Sequence, residues 1–430
     1  MKLRFLNHSC FTLEQGDVRL MVDPWIEGRV FNDGWDLLTK TPFSFDDFKT
    51  ITHIWFSHEH PDHFSPPNLN KIVPEVRKRI TVLFQETVDK RVVRFCEKLG
   101  FKDVIELKPD TWLSIGEDLN VLCEPYQEGD SWVAFKSNEH TILNTNDCGL
   151  WDRGQALKIK EKVGKVDVLL TQFSYAFWAG NKDQKALRAS MADEKLQGYK
   201  FQCDIFQPRY TIPIASYIWF CHEENHYLND GVNRPQKVYD FLRQSTEAIP
   251  ILLYPGDVYS PGDDHDSAGS IEKFNADYQT VLSNPELVKG SKVVESQLLE
   301  AAGIFVQKLR KNYSPYVNFL RPSKIFLTDY GTAFELTING GLEAKGYQRE
   351  ACDIALSSES LAFCFKFAWG NDTLGINGRY ERPAGGTYSN FYNFFRFDQL
   401  KSRGIQPGFR YFSGMVARKV LVMAGLQKSG

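Results

Sequence analysis

Residues 58–63 read His58-Glu59-His60-Pro61-Asp62-His63, and this one bend holds three of the nine histidines in the 430-residue chain. Imidazoles and a carboxylate at such spacing can surround a divalent cation without a helix to align them. A merely solvated turn gives no reason to gather so many histidines. His58, His60, Asp62 and His63 are therefore the candidate metal ligands, with Asp62 also a candidate catalytic carboxylate.

The bend must be held by something rigid. It directly follows Ile51-Thr52-His53-Ile54-Trp55-Phe56-Ser57, an apolar run too short for an ordinary helix and rich in β-formers, which predicts a buried strand. Upstream, Leu3–Asn7, Cys10–Glu14 and Val18–Val22 read as strands, turned at Gln15-Gly16-Asp17 and closed by Asp23-Pro24-Trp25. Downstream, a strand at Ile80–Phe84, an amphipathic helix around Val88–Leu99 ended by Gly100, and a strand at Asp103–Leu107 make an α/β pattern. Trp132–Lys136 and Thr141–Asn144 flank the turn Ser137–His140 as a hairpin that runs out at Asn146-Asp147. Val166–Phe173, Ile214–Phe220 and Ile251–Tyr254 are further short apolar runs. A second metal-like motif, His222-Glu223-Glu224-Asn225-His226, fits H-E-x-x-H. That motif needs a helix, and the strand-like run before it, with Asn229-Asp230-Gly231 soon after, argues against one.

Composition narrows the class. Hydrophobic residues make 42% and charged residues 24%, as in ordinary globular proteins, which excludes wholesale disorder. A net charge of −3 gives no electrostatic ground for nucleic acid or anionic lipid as partner. No apolar run approaches the ~20 residues of a membrane span, and Met1-Lys2-Leu3-Arg4-Phe5 lacks a secretory apolar stretch, so a cytoplasmic protein is expected. The eight cysteines show no C-x-x-C spacing, against zinc ribbons and cysteine-held iron–sulfur clusters. The composition changes near residue 265. We expect a catalytic domain over 1–269 and an α+β domain over 270–430, with a helix at about 291–312 and strands dominating Lys324 to Arg379.

On the residues His58, His60, Asp62 and His63, the sequence resembles the metallo-β-lactamase fold superfamily, whose H-x-H-x-D-H motif they match one by one. Asn7-His8-Ser9-Cys10 and Val22-Asp23-Pro24-Trp25 are similar to family members too. The resemblance implies an α/β fold, the αββα sandwich, with two metal ions. The first two histidines would bind one, and Asp62 and His63 the other. Asp147, in Ile142-Leu143-Asn144-Thr145-Asn146-Asp147-Cys148, corresponds to the bridging carboxylate. More narrowly, His58–Phe64 with Ile142–Cys148 resembles the catalytic region of the CMP-N-acetylneuraminate hydroxylase family, over about the first 260 residues. No Rieske cluster motif accompanies it.

The family places a histidine some 20 residues before the bridging aspartate, and Glu124-Pro125-Tyr126-Gln127-Glu128-Gly129-Asp130 has none. An oxygen ligand is implied. Glu128 is the choice, as in the diiron β-hydroxylases it resembles, with Tyr126, Gln127 and Asp130 as rivals. A carboxylate there favours iron over a zinc pair, with zinc or manganese as the other possibilities. For the distant histidine of the second metal the choice is His222, with His226 and His265 as rivals, while His8 is expected to touch substrate or to support a ligand. Trp25, Trp55, Tyr175 and Trp178 are candidate walls of a small-molecule pocket.

The resemblance thus implies an iron-dependent oxygenase served by an external reductase as electron donor. Its alternative is a lactonase- or phosphodiesterase-type hydrolase, in which the metals acidify a bridging water that Asp62 orients. A binding protein keeping only a structural metal is the third class, and the intact motif argues against it. Phe334–Asn377 resembles the sterol carrier protein fold through Leu336-Thr337-Ile338-Asn339-Gly340 and Cys352–Phe365; a lid or dimerisation domain is the competing reading.

Overall fold

The structure, a computed structural model, describes residues 1–402, the side chains of Glu128 and Ser402 excepted. The chain divides into two units, the first ending at Val288 and the second starting at Lys289.

In the first unit, alternation along short strands builds the layers. Trp55 turns inward, where its ring meets Phe135 of the facing sheet edge-on at 6.4 Å, while its neighbours Ile54 and Phe56 turn outward to the helix Arg91–Leu99 and its Val92, Val93 and Cys96. The same alternation sends Leu83 inward and Val82 and Phe84 outward along Thr81–Gln85. One seven-stranded sheet runs Val258–Tyr259, Lys2–Asn7, Cys10–Gln15, Val18–Val22, His53–Phe56, Thr81–Gln85, Asp103–Leu107. The other runs Ile249–Pro250, Tyr210–Ile214, Val168–Gln172, Thr141–Asn146, Ser131–Lys136, Leu119–Pro125, Leu113–Gly116. Helices Arg153–Val163, Lys185–Phe206 and Pro235–Ser245 put Ile159, Leu196, Tyr199 and Leu242 against this second sheet's side of the core. Four layers result, helix, sheet, sheet, helix. Each large aliphatic side chain buried between them contributes ~1.5–3 kcal/mol, which is why the central strands carry almost no exposed residue.

Several boundaries depart from the sequence reading. The run Ile51–Ser57 yields a strand only over His53–Phe56, because a 3-10 turn, Phe45–Thr50, capped by Ser44, occupies the approach. Ile214–Phe220 is broken in two: Ala215 adopts φ 54° and donates its N–H to the carbonyl of His8, so Ile218–Phe220 leaves the sheet and pairs with Trp35–Leu37. Ile251–Tyr254 is irregular rather than a strand. Helix Ser267–Ser283 counts with the first unit, where Phe274 stacks on Tyr217 at 4.3 Å.

The second unit is α+β. A five-stranded sheet, ordered Gly341–Lys345, Thr332–Thr337, Ser323–Leu327, Ile354–Leu356, Tyr380–Glu381, accompanies helices Glu295–Tyr313, Ser358–Lys366, Gly370–Asn377 and Tyr388–Ser402. Strands therefore do not dominate Lys324 to Arg379. The run Leu361–Phe367 falls largely in a helix that Ser357 starts by accepting the N–H of Ser360.

Candidate metal centre

The site sits where strands of both sheets end. Val18–Val22 and His53–Phe56 are parallel neighbours, with Val22 opposite Trp55, so Asp23 and Ser57 leave the sheet side by side. Asp23, fully buried, accepts four hydrogen bonds: from the Ser57 N–H and Oγ at 2.7 Å each, from Asn146 Nδ2 at 2.6 Å and from His63 Nδ1 at 2.8 Å. One carboxylate thus ties the ends of three strands together.

Beyond Ser57 the chain folds back at His60-Pro61, closed by the His63 N–H on the His60 carbonyl. Successive side chains then part: Glu59 swings out to Arg91 at 2.6 Å, while His58 Nε2 and His60 Nδ1 lie 2.8 Å apart inside. Ser57 Oγ, 2.9 Å from His58 Nδ1, leaves Nε2 facing the centre. His63 is oriented the same way by Asp23. Its Nε2 lies 3.2 Å from one oxygen of Asp62 and 3.2 Å from one of Asp147, and makes a hydrogen bond to neither. His8, at the turn between the first two strands, brings Nε2 to 3.2 Å from Asp62 Oδ2. Asp147 follows the left-handed Asn146 and accepts a hydrogen bond on Oδ1 from Gln172 Nε2 at 3.1 Å; its Oδ2 is 3.9 Å from His58 Nε2. Asp130 Oδ1 approaches His58 Nε2 to 3.7 Å.

Three sets of donor atoms close enough to share a cation result: His58, His60 and Asp130; His58, His63 and Asp147; His8, Asp62 and His63. The sets are contiguous through His58 and His63, and the middle one holds Asp147, whose carboxylate lies between the outer two as a bridging ligand would. Burial holds the His58 imidazole well below the usual histidine range, reinforced by charge on His63 and His60, so that it offers a lone pair at neutral pH. His63 is burdened by burial too, yet Asp62, Asp147 and Asp23 outweigh that and raise it well above the usual range. Burial raises Asp62, but His63 and His8 hold its carboxyl well below the ordinary carboxylate value. Negative oxygens crowded about buried imidazoles are what a cation would neutralise, so the donor set fits a metal pair. The left-handed φ values of His8, Asp23, Asn146 and Ala215, non-glycine residues all, ring this centre.

Of the residues expected from the sequence, the structure brings together His8, His58, His60, Asp62, His63 and Asp147. Glu128 lies in the short turn Gln127–Gly129, and its side chain is outside the described residues; the rival Asp130 is the oxygen donor placed beside His58. His222 joins none of the three clusters among the described residues. Its Nδ1 accepts the Glu224 N–H, and its backbone bridges to Val288. His226 begins a 3-10 turn, not a zincin helix, and His265 Nε2 meets the Leu252 carbonyl at 2.6 Å. Trp55 belongs to the core, the Tyr175 hydroxyl donates to the Leu228 carbonyl, and Trp25 packs edge-on to His8 at 5.7 Å.

Residues 2–190 match the family model of a beta-lactamase superfamily domain. The layered first unit is the αββα sandwich of the metallo-β-lactamase fold, followed by an α+β unit. Curated relatives include the cytidine monophosphate-N-acetylneuraminic acid hydroxylases of Mus musculus and of Danio rerio. The first is 26% identical over 63% of this chain and 50% of its own length, the second 26% identical over 56% and 43%. The chain spans about half the length of the curated relatives it matches. Among solved structures, a diiron β-hydroxylase from Streptomyces venezuelae is 17% identical, with a TM-score of 0.44 over 60% of this chain and 53% of that one. An isothiocyanate hydrolase from Delia radicum gut bacteria is 13% identical, with a TM-score of 0.43 over 60% and 98%.

Two supporting residues of the first unit escaped the sequence reading. Gln172 touches Asp147, and Lys195 touches Gln172. The one available signal was the polar end of the apolar strand Val168–Gln172.

Proposed function

We propose that the chain is a dinuclear metalloenzyme, and that its chemistry is the iron-dependent oxygenation of a small molecule, with electrons from an external donor. The observation that carries this is His63 Nε2 standing between Asp62 and Asp147 without a hydrogen bond, while His58 Nε2 has His60 at 2.8 Å, Asp130 at 3.7 Å and Asp147 at 3.9 Å about a second position. His58, His60, Asp130 and Asp147 would hold one ion, with Glu128 the competing oxygen ligand; His8, Asp62, His63 and the shared Asp147 would hold the other. Three aspartates among the donors favour iron, as the carboxylate-rich set is harder than the histidine sets typical of zinc. The hydroxylase relatives support the same direction.

Bound iron would supply the redox chemistry toward dioxygen. The chain's own groups do the rest. Asp23 keeps the His63 proton on Nδ1, so Nε2 is available as a ligand; Gln172 holds Asp147 by Oδ1; burial excludes water from Asp23 and His63, while Asp147 and Gln172 stay partly exposed. Insertion of one oxygen atom into a C–H bond consumes dioxygen and two electrons with two protons, and releases water, which is why an external reductant is part of the proposal.

A second reading has one observation in its favour. Asp62 Oδ1 is buried and accepts no hydrogen bond, so it is free to orient a nucleophilic water in a hydrolase. Elemental analysis of protein purified without added metal, combined with oxygen uptake in the presence of a reductant, separates the two. Two irons per chain with reductant-dependent oxygen consumption support the oxygenase. Zinc or manganese with lactone or phosphodiester turnover and no oxygen uptake overturns it.

A further inference from the structure

We propose that Lys195 and Gln172 form a relay that fixes which oxygen of Asp147 faces the metal pair, an inference that rests on the metal centre proposed above. Gln172 ends the strand Val168–Gln172, in register with Ile214 on the parallel neighbour, and Asp147 lies one residue past Thr141–Asn146 on the other side. Three strand ends therefore meet at one side chain. Gln172 Nε2 reaches Asp147 Oδ1 at 3.1 Å and the Ala215 carbonyl at 3.3 Å, and Lys195 Nζ reaches Gln172 Oε1 at 2.5 Å.

The two ends of a glutamine amide have nearly the same shape, so its partners decide its orientation. An ammonium only donates; a carboxylate and a carbonyl only accept. Lys195 therefore compels the oxygen of Gln172 toward itself and the NH2 toward Asp147 and Ala215. Turned over, the amide would set donor against donor at Lys195 and acceptor against acceptor at Asp147. With Oδ1 so engaged, Oδ2 is the oxygen left 3.2 Å from His63 Nε2 and 3.9 Å from His58 Nε2. The second arm of Gln172 extends the effect, because Ala215, whose carbonyl it holds, donates its own N–H to the His8 carbonyl.

Lys195 is an unusual residue to spend on packing. It projects from the helix Lys185–Phe206, its Nζ lies 5.6 Å from the centroid of the Phe177 ring, and among the described residues it forms no salt bridge. A half-buried ammonium that touches no carboxylate directly, and feels Asp147 and Asp130 only at a distance, is costly unless the bond it makes matters.

The test is calorimetric titration of the metal-free full chain with Co2+, followed also by the visible spectrum of the bound ion, for wild type, K195M, K195R, Q172M and K195M/Q172M. Melting temperature and circular dichroism confirm folding. K195M and Q172M should each weaken binding ~10-fold, at the low end for groups that support a ligand, and shift the spectrum. K195R, which still donates, should restore both. Because Lys195 acts through Gln172, the double variant should bind no more weakly than Q172M. Wild-type affinity and spectrum in K195M, or losses that multiply in the double variant, would overturn the relay while leaving the metal centre standing. Should K195M fail to fold, wild-type affinity and spectrum in Q172M would overturn it equally. Wild type taking up no Co2+ would remove the centre and the relay together.

Discussion

His63 Nδ1 and Asp23 Oδ2 stand 2.8 Å apart with neither side chain exposed to solvent. The pair sets the imidazole tautomer: the proton sits on Nδ1, and Nε2 is presented between Asp62 and Asp147. All four groups that reach Asp23 donate to it or, as with Asn146 Nδ2 and the Ser57 N–H, can do nothing else. Asp23→Asn puts an NH2 among these donors. It should lower stability by ~1–3 kcal/mol through the unsatisfied groups and metal affinity by ~10–100-fold through the freed ring. Denaturant unfolding and metal titration measure the two; undiminished affinity would show that Asp23 does not orient the ligand.

His8 and His222 offer competing answers for the last ligand of the second ion. His8 Nε2 is 3.2 Å from Asp62 Oδ2, whereas His222 is tied to Glu224 and to the Val288 backbone strand-fashion. We expect His8→Ala to reduce bound metal from two ions per chain to one, and His222→Ala to leave two, by elemental analysis of the dialysed protein. The reverse pattern would hand the position to His222.

The legible part of this centre is its local part. His58, His60, Asp62 and His63 lie within one bend, and Asp147 ends a hairpin, so spacing and family likeness reach them. Asp23 was visible as a strand-end motif, but its partners lie 34, 40 and 123 residues away, and nothing in Val22-Asp23-Pro24-Trp25 states them. Lys195 in a long helix looks like any solvent-facing lysine until Gln172 is placed beside it. The fold behaves likewise. A short apolar run rich in β-formers predicted the strand around Trp55, a signal contained in a few residues, while the break after Ile214 follows from a bond between Ala215 and His8 that local propensity cannot contain.

Asp130 gives a third prediction. Its Oδ1 is 3.7 Å from His58 Nε2, and it shares a cluster with His58 and His60. Removing a carboxylate ligand deprives that ion of both a bond and a compensating charge. Asp130→Ala should weaken one of the two ions by at least ~10-fold, a loss no smaller than that of a mere supporting group. Glu128→Ala should have the smaller effect. Titration of both variants decides between them, and selective loss in Glu128→Ala would return the ligand to Glu128.

The histidines predict a stability profile for the metal-free protein. His63 binds its proton more tightly folded than unfolded, so that stability is fully present below the unfolded value of about 6.5 and is lost as pH rises through the raised folded value. His58 has the opposite sign: folded, it refuses a proton that the unfolded chain accepts below about 6.5, so stability falls as pH drops beneath that point. Asp62, whose folded value is depressed, protects at all pH above its unfolded value of about 3.9 and weakens only in stronger acid. With chelator present, the melting temperature should therefore decline on both sides of about pH 6.5. A metal at His63 Nε2 displaces the proton, so the alkaline decline should vanish in the metal-loaded protein, and affinity should rise with pH until the His63 proton is gone. Thermal melts between about pH 5.5 and 9, with chelator and with excess metal, test this. A metal-free melting temperature that stays level above neutrality would mean that the proton held between Asp23, Asp62 and Asp147 contributes nothing to the fold, and that His63 is not the contested position.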